Sequence, residues 1–269
     1  MAPTSNAALL LHGQPGNAQD WDAVRAAIDG RVPTLAIDRP GWDGRSTPTD
    51  LAGNARAAVS VLDDAGIERA TLVGHSLGGA VAAWLAAEYP ERVGALVLAA
   101  PSASCQSLNR LDDLLATPFL GSALATGAFI GLGLTLKLRA ARHRISSGFG
   151  LPEDYLLSYS RTLLNPLVWH SFAVEQRTLT RELPELELRL ESISAATMIV
   201  TGTADRIVSP ASARALAARI PGADLVQLRR ASHLLLQERP VELAELIVAA
   251  ASGAATAAVA APQDSLGSG

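Results

Sequence analysis

Residues Leu72–Ala80, reading LVGHSLGGA, constrain this chain more than any other stretch. An apolar run enters Gly74-His75-Ser76-Leu77-Gly78-Gly79, and a helix-forming run leaves it. Glycines at two-residue spacing about a serine suit a strand that turns into a helix too sharply for larger neighbours. The strain of that turn lifts the serine hydroxyl out of the sheet edge, the arrangement of a nucleophile elbow. Glycine-rich strand-to-helix turns also cradle phosphates. Ser76 therefore needs a base, an acid and an oxyanion hole from elsewhere in the chain before it can be read as a nucleophile.

Short apolar runs alternate with longer helical stretches, the signature of βαβ units and a mostly parallel sheet. Strands are expected at Ala8–Leu11, Val32–Ile37, Ala70–Val73, Val93–Ala99, Thr197–Thr201 and Asp224–Leu228. Helices are expected at Trp21–Ile28, Leu51–Asp64, from Ser76 to about Tyr89, Pro210–Arg219 and Pro240–Ala251. From Pro101 to about Ser194 the alternation gives way to helical periodicity, prolines and loops. The expected organisation is a core of residues 1–101 and 195–251, a helical lid at 102–194, and a disordered tail at 252–269, rich in Ala, Gly and Ser.

At 269 residues the chain buries roughly 75% of its unfolded surface, which is ample for such a core. With 49% hydrophobic residues, 18% charged and a net charge of −4, it carries no basic run suited to nucleic acid. The single cysteine, Cys105, excludes an internal disulfide framework or a multi-cysteine metal site. The first residues lack a basic leader and their apolar run is short, so a cytoplasmic location is expected. The charge-free segment Phe119–Leu136 reaches the minimum of about 18 residues for a membrane span. It reads as a buried or substrate-facing lid helix broken by Gly121, Gly127, Gly131 and Gly133, with membrane association kept as the lesser alternative. Nothing in the sequence speaks to oligomeric state.

Serine is a weak nucleophile at neutral pH and needs a base that is itself oriented by a third group. His233 lies in the loop after the last strand, and Asp205 follows the strand at Thr197–Thr201. The order Ser76, Asp205, His233 resembles that of the α/β-hydrolase superfamily. His12-Gly13-Gln14-Pro15-Gly16 looks like its oxyanion-hole loop, and Asp38-x-Pro40-Gly41 with Gly44-x-Ser46 looks like its next active-site loop. The resemblance spans the whole chain. It implies an α/β-hydrolase fold of about six mostly parallel strands with helices on both faces, and an oxyanion held by the backbone N–H groups of Gln14 and Leu77. The first strand starts too near the beginning of the chain for a full set of the antiparallel strands that usually precede the His-Gly loop. Relatives that hydrolyse epoxides or carbon–halogen bonds carry aspartate where this chain has Ser76, which argues against both reactions.

The alternatives for these residues are bland. Asp205 could cap a turn or pair with Arg206, His233 could be a surface histidine, and Asp38 reads as a loop-shaping carboxylate. His12, Gly13 and His75 border the pocket, with both histidines read as packing residues. Trp42 and Trp169 are candidate pocket walls, and Cys105 reads as a buried, inert thiol with a cavity-facing alternative. Arg142, His143 and Arg144 read as a solvated basic face. The expected activity is that of a cofactor-independent, metal-free serine hydrolase taking an ester, lactone or thioester of a hydrophobic small molecule. Carbon–carbon hydrolase chemistry on the same fold is an alternative that the loop from His12 to Gly16 weakly disfavours, since ring-fission relatives usually read differently there. Lyase or cyclase chemistry, and a ligand receptor that retains the triad, stay open.

Overall fold

The computed structural model describes residues 7–253; from residue 254 on, the expected tail lies outside the described residues. Six strands, β1 (Ala8–Leu11), β2 (Thr34–Ile37), β3 (Ala70–His75), β4 (Val93–Ala99), β5 (Ala196–Gly202) and β6 (Asp224–Leu228), form one sheet in the order β2-β1-β3-β4-β5-β6. Every pairing is parallel. This bears out the expected fold class. β2 starts at Thr34 and not at Val32: Pro33 has no N–H to give to the ladder, and pairing with β1 begins at Ala8 opposite Thr34.

Both faces of the sheet are covered, so its central strands are apolar on both sides. Leu9, Leu11, Leu72, Leu96 and Ile199 pack to one side, with α2 (Leu51–Asp64), α3 (Leu77–Glu88) and α9 (Pro210–Arg219). Leu10, Val73, Val97 and Val200 pack to the other, with α1 (Asp22–Ile28) and α11 (Pro240–Ala251). The period of two along each strand produces this division.

Between β4 and β5 the chain makes five helices, α4 (Arg110–Ala116), α5 (Leu120–Lys137), α6 (Arg139–Phe149), α7 (Glu153–Leu163) and α8 (Pro166–Arg189), followed by a short 3₁₀ turn. Here one expectation fails. α5 is a single unbroken helix of 18 residues, and its surface is largely exposed, not buried. A Cβ at Gly121 would stand 2.2 Å from the Leu115 carbonyl oxygen, and one at Gly133 2.8 Å from Leu164, so these two glycines permit close packing. Gly127 and Gly131 face open space. A short helix, α10 (Leu235–Glu238), precedes α11.

Because all six strands run the same way, their C-terminal ends share one edge of the sheet. The loops after β1, β2, β3, β5 and β6 therefore converge there, the usual site position in open α/β sheets.

Candidate active site

Ser76 sits between β3 and α3 with φ 53° and ψ −120°, a conformation costly for a residue with a side chain. Three backbone bonds hold it. Its N–H donates to Ala99 O at 3.0 Å, and its carbonyl accepts from Gly79 N–H at 2.9 Å and Ser102 N–H at 3.0 Å. The flanking glycines are required by contact. A Cβ at Gly74 would lie 2.2 Å from Gly78 O, and one at Gly78 would lie 2.3 Å from Leu11 O. The start of α3 is thus pressed against the ends of β1 and β3, with the unpaired N–H groups of its first turn at that edge.

His233 and Asp205 meet as the sequence order implies. His233 Nδ1 lies 2.8 Å from Asp205 Oδ2, and both side chains are buried. The other carboxylate oxygen accepts the N–H groups of Ile207 at 2.8 Å and Val208 at 2.9 Å. Asp205 therefore caps a turn and binds the imidazole at once, and the turn-capping alternative is compatible with the triad reading. An Nδ1–H donated to Asp205 leaves Nε2 of His233 as the basic nitrogen.

His75 ties this pair to the elbow. Its Nε2–H donates to the His233 carbonyl at 3.0 Å, and the two rings lie 5.0 Å apart. Burial, with His233 beside it, holds the His75 pKa down to about 3, so it remains neutral. His12 is likewise buried and neutral, its pKa pushed well down by burial and then by Arg39. His12 Nδ1–H donates to Gly13 O at 2.7 Å and Nε2 accepts from Arg39 N–H at 3.1 Å. Both histidines fasten loops, in keeping with their reading as packing residues.

The loop after β1 abuts the serine: a Cβ at Gly13 would be 3.0 Å from Ser76 Cβ. Gln14 follows directly in that loop, and Leu77 is the first residue of α3. Arg39 was not singled out in the sequence, yet it organises this loop. It is 1% exposed, and it donates from Nε to His12 O at 2.9 Å and from Nη2 to Gly13 O at 3.1 Å. Its guanidinium also pairs with Glu175 of α8, equally buried. Burial raises the Glu175 pKa against the opposing pull of Arg39. One residue on, Gln176 Oε1 accepts from the Gln14 side chain at 2.8 Å, and Gln176 Nε2 donates to Asp112 Oδ1 at 3.1 Å. Ser171 Oγ donates to Gly41 O at 2.6 Å. One face of α8 is therefore hydrogen-bonded to the loops after both β1 and β2. The sole signal for these partners is a run of buried polar residues in an otherwise apolar helical face.

The remaining candidates divide. Trp42 packs edge-on to His12 at 5.8 Å, with Arg39 5.7 Å above its ring, and so belongs to the same cluster. Asp38 shapes its loop by accepting Ala18 N–H at 2.7 Å. Trp169 instead donates to Leu163 O at 2.7 Å, joining α8 to α7, and no contact places it with the triad. Cys105 is exposed, which corrects the expectation of a buried thiol. It lies in a 3₁₀ turn whose N–H donates to Glu187 at 2.8 Å, and partial burial, with Glu187 nearby, raises its thiol pKa. Arg142 and His143 both pair with Glu153, so this part of the basic face is partly neutralised. Among the described residues no group of three His, Cys, Asp or Glu is placed to hold a metal.

Comparison with known proteins identifies the family. The chain is 31% identical over 253 residues to a 2-hydroxy-6-oxononadienedioate/2-hydroxy-6-oxononatrienedioate hydrolase of Burkholderia vietnamiensis, covering 86% of this chain and 82% of that protein. Among solved structures it resembles an enol-lactonase from Burkholderia xenovorans, with TM-score 0.72 and 20% identity over 92% of each chain. It also resembles a thermophilic esterase from Thermogutta terrifontis, with TM-score 0.67 and 21% identity over 91% of this chain and 89% of the other. Residues 8–246 match the family described as "Alpha/beta hydrolase family", and the chain belongs to it.

Proposed function

We propose that the protein is a cofactor-independent serine hydrolase that cleaves an ester, lactone or thioester of a hydrophobic small molecule through an acyl-enzyme. The observation that carries this reading is the His233–Asp205 pair at 2.8 Å, fastened through His75 to the strained Ser76. His233 Nε2 takes the Ser76 proton as Oγ attacks the carbonyl carbon. The N–H groups of Gln14 and Leu77 hold the resulting oxyanion, a contribution of about 3–4 kcal/mol per donor. Collapse breaks the bond to the leaving oxygen or sulfur, which departs with the proton from His233. Water, deprotonated by the same nitrogen, then attacks the acyl carbon, and Ser76 recovers its proton.

An apolar acyl group is favoured by the surroundings of the base. Leu234, next to His233, packs on a cluster of Leu136, Leu151, Leu156 and Leu163 from the helical insertion, which we take to act as a lid. A fluorophosphonate probe should label the wild type and fail on Ser76→Ala. Labelling of that variant at another residue would overturn the assignment.

A second reading, hydrolysis of a 2-hydroxy-6-oxo acid, is favoured by the 31% identity to the Burkholderia vietnamiensis protein. Against it, the five donors of the buried Arg39 guanidinium are directed to His12 O, Gly13 O, both carboxylate oxygens of Glu175 and Asn54 Oδ1, with none left for a substrate carboxylate. Turnover of short-chain esters against a 2-hydroxy-6-oxo acid separates the two. Incorporation of solvent oxygen separates either from lyase or cyclase chemistry, and repeated turnover separates them all from a receptor.

A further inference from the structure

We propose that the outer face of α5, with the basic flank beyond its C-terminal end, is a docking surface for an anionic lipid bilayer. This inference is independent of which bond the enzyme hydrolyses.

A surface helix ordinarily turns polar side chains to water. α5 does the opposite. Its inner side, through Gly121, Ala125, Gly133 and Leu136, is buried against the helices of the insertion. Its outer side is apolar along about 27 Å, the length of 18 residues in a helix. Leu120 is 55% exposed, Leu134 53%, Leu124 44%, and Leu138 just beyond the helix 64%. Phe119, at the N-cap with φ 60°, is 91% exposed. Thr135 is the exposed hydroxyl of that side, and its Oγ donates to Gly131 O one turn back in the same helix at 2.8 Å. Contiguous apolar surface of this kind marks an interaction site.

Charge selects the occupant. From residue 114 to residue 152 there is no Asp or Glu, while Lys137, Arg139, Arg142 and Arg144 contribute +4, in a chain whose net charge is −4. The remainder of the chain therefore carries −8. Arg142 is engaged by Glu153, which leaves Lys137, Arg139 and Arg144 exposed around the end of the apolar face. An apolar helix face with a basic rim suits the interface of a bilayer that contains anionic headgroups. A second copy of the chain fits less well, since residues 114–152 carry no acidic side chain to answer the cations of a partner. α5 is long and apolar enough to cross a membrane. Its packing on α4, α6, α7 and α8 holds it along the surface, where it would lie in the plane of the interface.

Co-sedimentation of the full chain with phosphatidylglycerol/phosphatidylcholine vesicles, and with phosphatidylcholine alone, tests the proposal. Binding to the anionic vesicles should be about tenfold tighter or more, and should weaken with added salt. Leu124→Glu with Leu134→Glu should abolish it, and Arg139→Glu with Arg144→Glu should reduce it at least about tenfold. Both pairs of positions are exposed, and unchanged thermal melting would show that the fold persists. The proposal is overturned if the wild type binds neither vesicle, or binds both equally. It is also overturned if Leu124→Glu with Leu134→Glu dissociates a dimer of a protein that ignores vesicles, which would make this face a contact between copies.

Discussion

Arg39 and Glu175, 136 residues apart in sequence, form a buried ion pair that joins the helical insertion to the loops around Ser76. Removing one partner of such a pair leaves a desolvated charge, whereas replacing both with apolar residues is often close to neutral. Glu175→Ala should therefore cost about 3–5 kcal/mol in urea unfolding. Arg39→Met with Glu175→Leu should recover most of that loss. Ester turnover should stay depressed in the double variant, because Arg39 also holds the carbonyls of His12 and Gly13. Recovery of activity together with stability would show the pair to be a spacer only.

The strain at Ser76 should be measurable as stability. Glycine accepts positive φ where serine and alanine do not. Ser76→Gly and Ser76→Ala should both be inactive, with the glycine variant more stable than the alanine variant by about 1 kcal/mol. Equal melting of the two would mean that the turn is relaxed.

Two buried groups should give pH dependences of opposite sign. His75, held down to about 3 in the fold against about 6.5 unfolded, contributes stability that is complete above pH 6.5 and lost on acidification towards pH 3. Asp20, raised to about 7 by burial, contributes stability that is complete below its unfolded pKa and lost as pH rises towards 7. Between about pH 4.5 and 6.5 the two slopes oppose each other. His75→Gln should make acid destabilisation shallower by up to about 1.4 kcal/mol per pH unit. Asp20→Asn should make it steeper by about half as much, since Asp20 retains some contact with solvent. Denaturant midpoints at the two pH values check both signs.

The glycines of α5 should respond unequally to alanine. At Gly121 the added methyl meets the Leu115 carbonyl at 2.2 Å, and Gly121→Ala should destabilise by about 1–3 kcal/mol. At Gly127 it meets nothing, and Gly127→Ala should stabilise by about 0.5–1 kcal/mol through helix propensity. Thermal melts of the two variants should move in opposite directions.

What could be read from the sequence was what is local or ordered along the chain. The strands show because each is a short apolar run, and the elbow shows because its glycines must sit at fixed spacing around Ser76. Asp205 and His233 show because each lies in the loop after a strand, in a recognisable order. Arg39 occupied an unread position within a motif, and Glu175 and Gln176 lay inside a helical stretch. Their roles exist only through pairings distant in sequence, which no local period records. α5 departs from its sequence pattern for another reason. Glycine weakens a helix by only about 1 kcal/mol per residue, and at Gly121 and Gly133 tight packing needs the missing side chain.

The insertion leaves the sheet from β4 and returns to β5, and those two strands are direct neighbours. Because the two strands are parallel, with Ala99 opposite Val200, the end of β4 and the start of β5 lie at opposite edges of the sheet, about 13 Å apart along the strand direction, and only the segment that crosses back between those edges is dictated by the sheet. The later half of α8 is a different matter, because Leu179, Leu183 and Leu186 belong to the same apolar cluster as α2 and α3. A grafting experiment that exchanges the helices of the insertion for those of a relative should accordingly rejoin the chain before Ser171, so that Glu175 stays with Arg39 and Leu179 with the core. Everything upstream in the insertion is an exchangeable cassette, and the end of α8 is part of the socket that receives it.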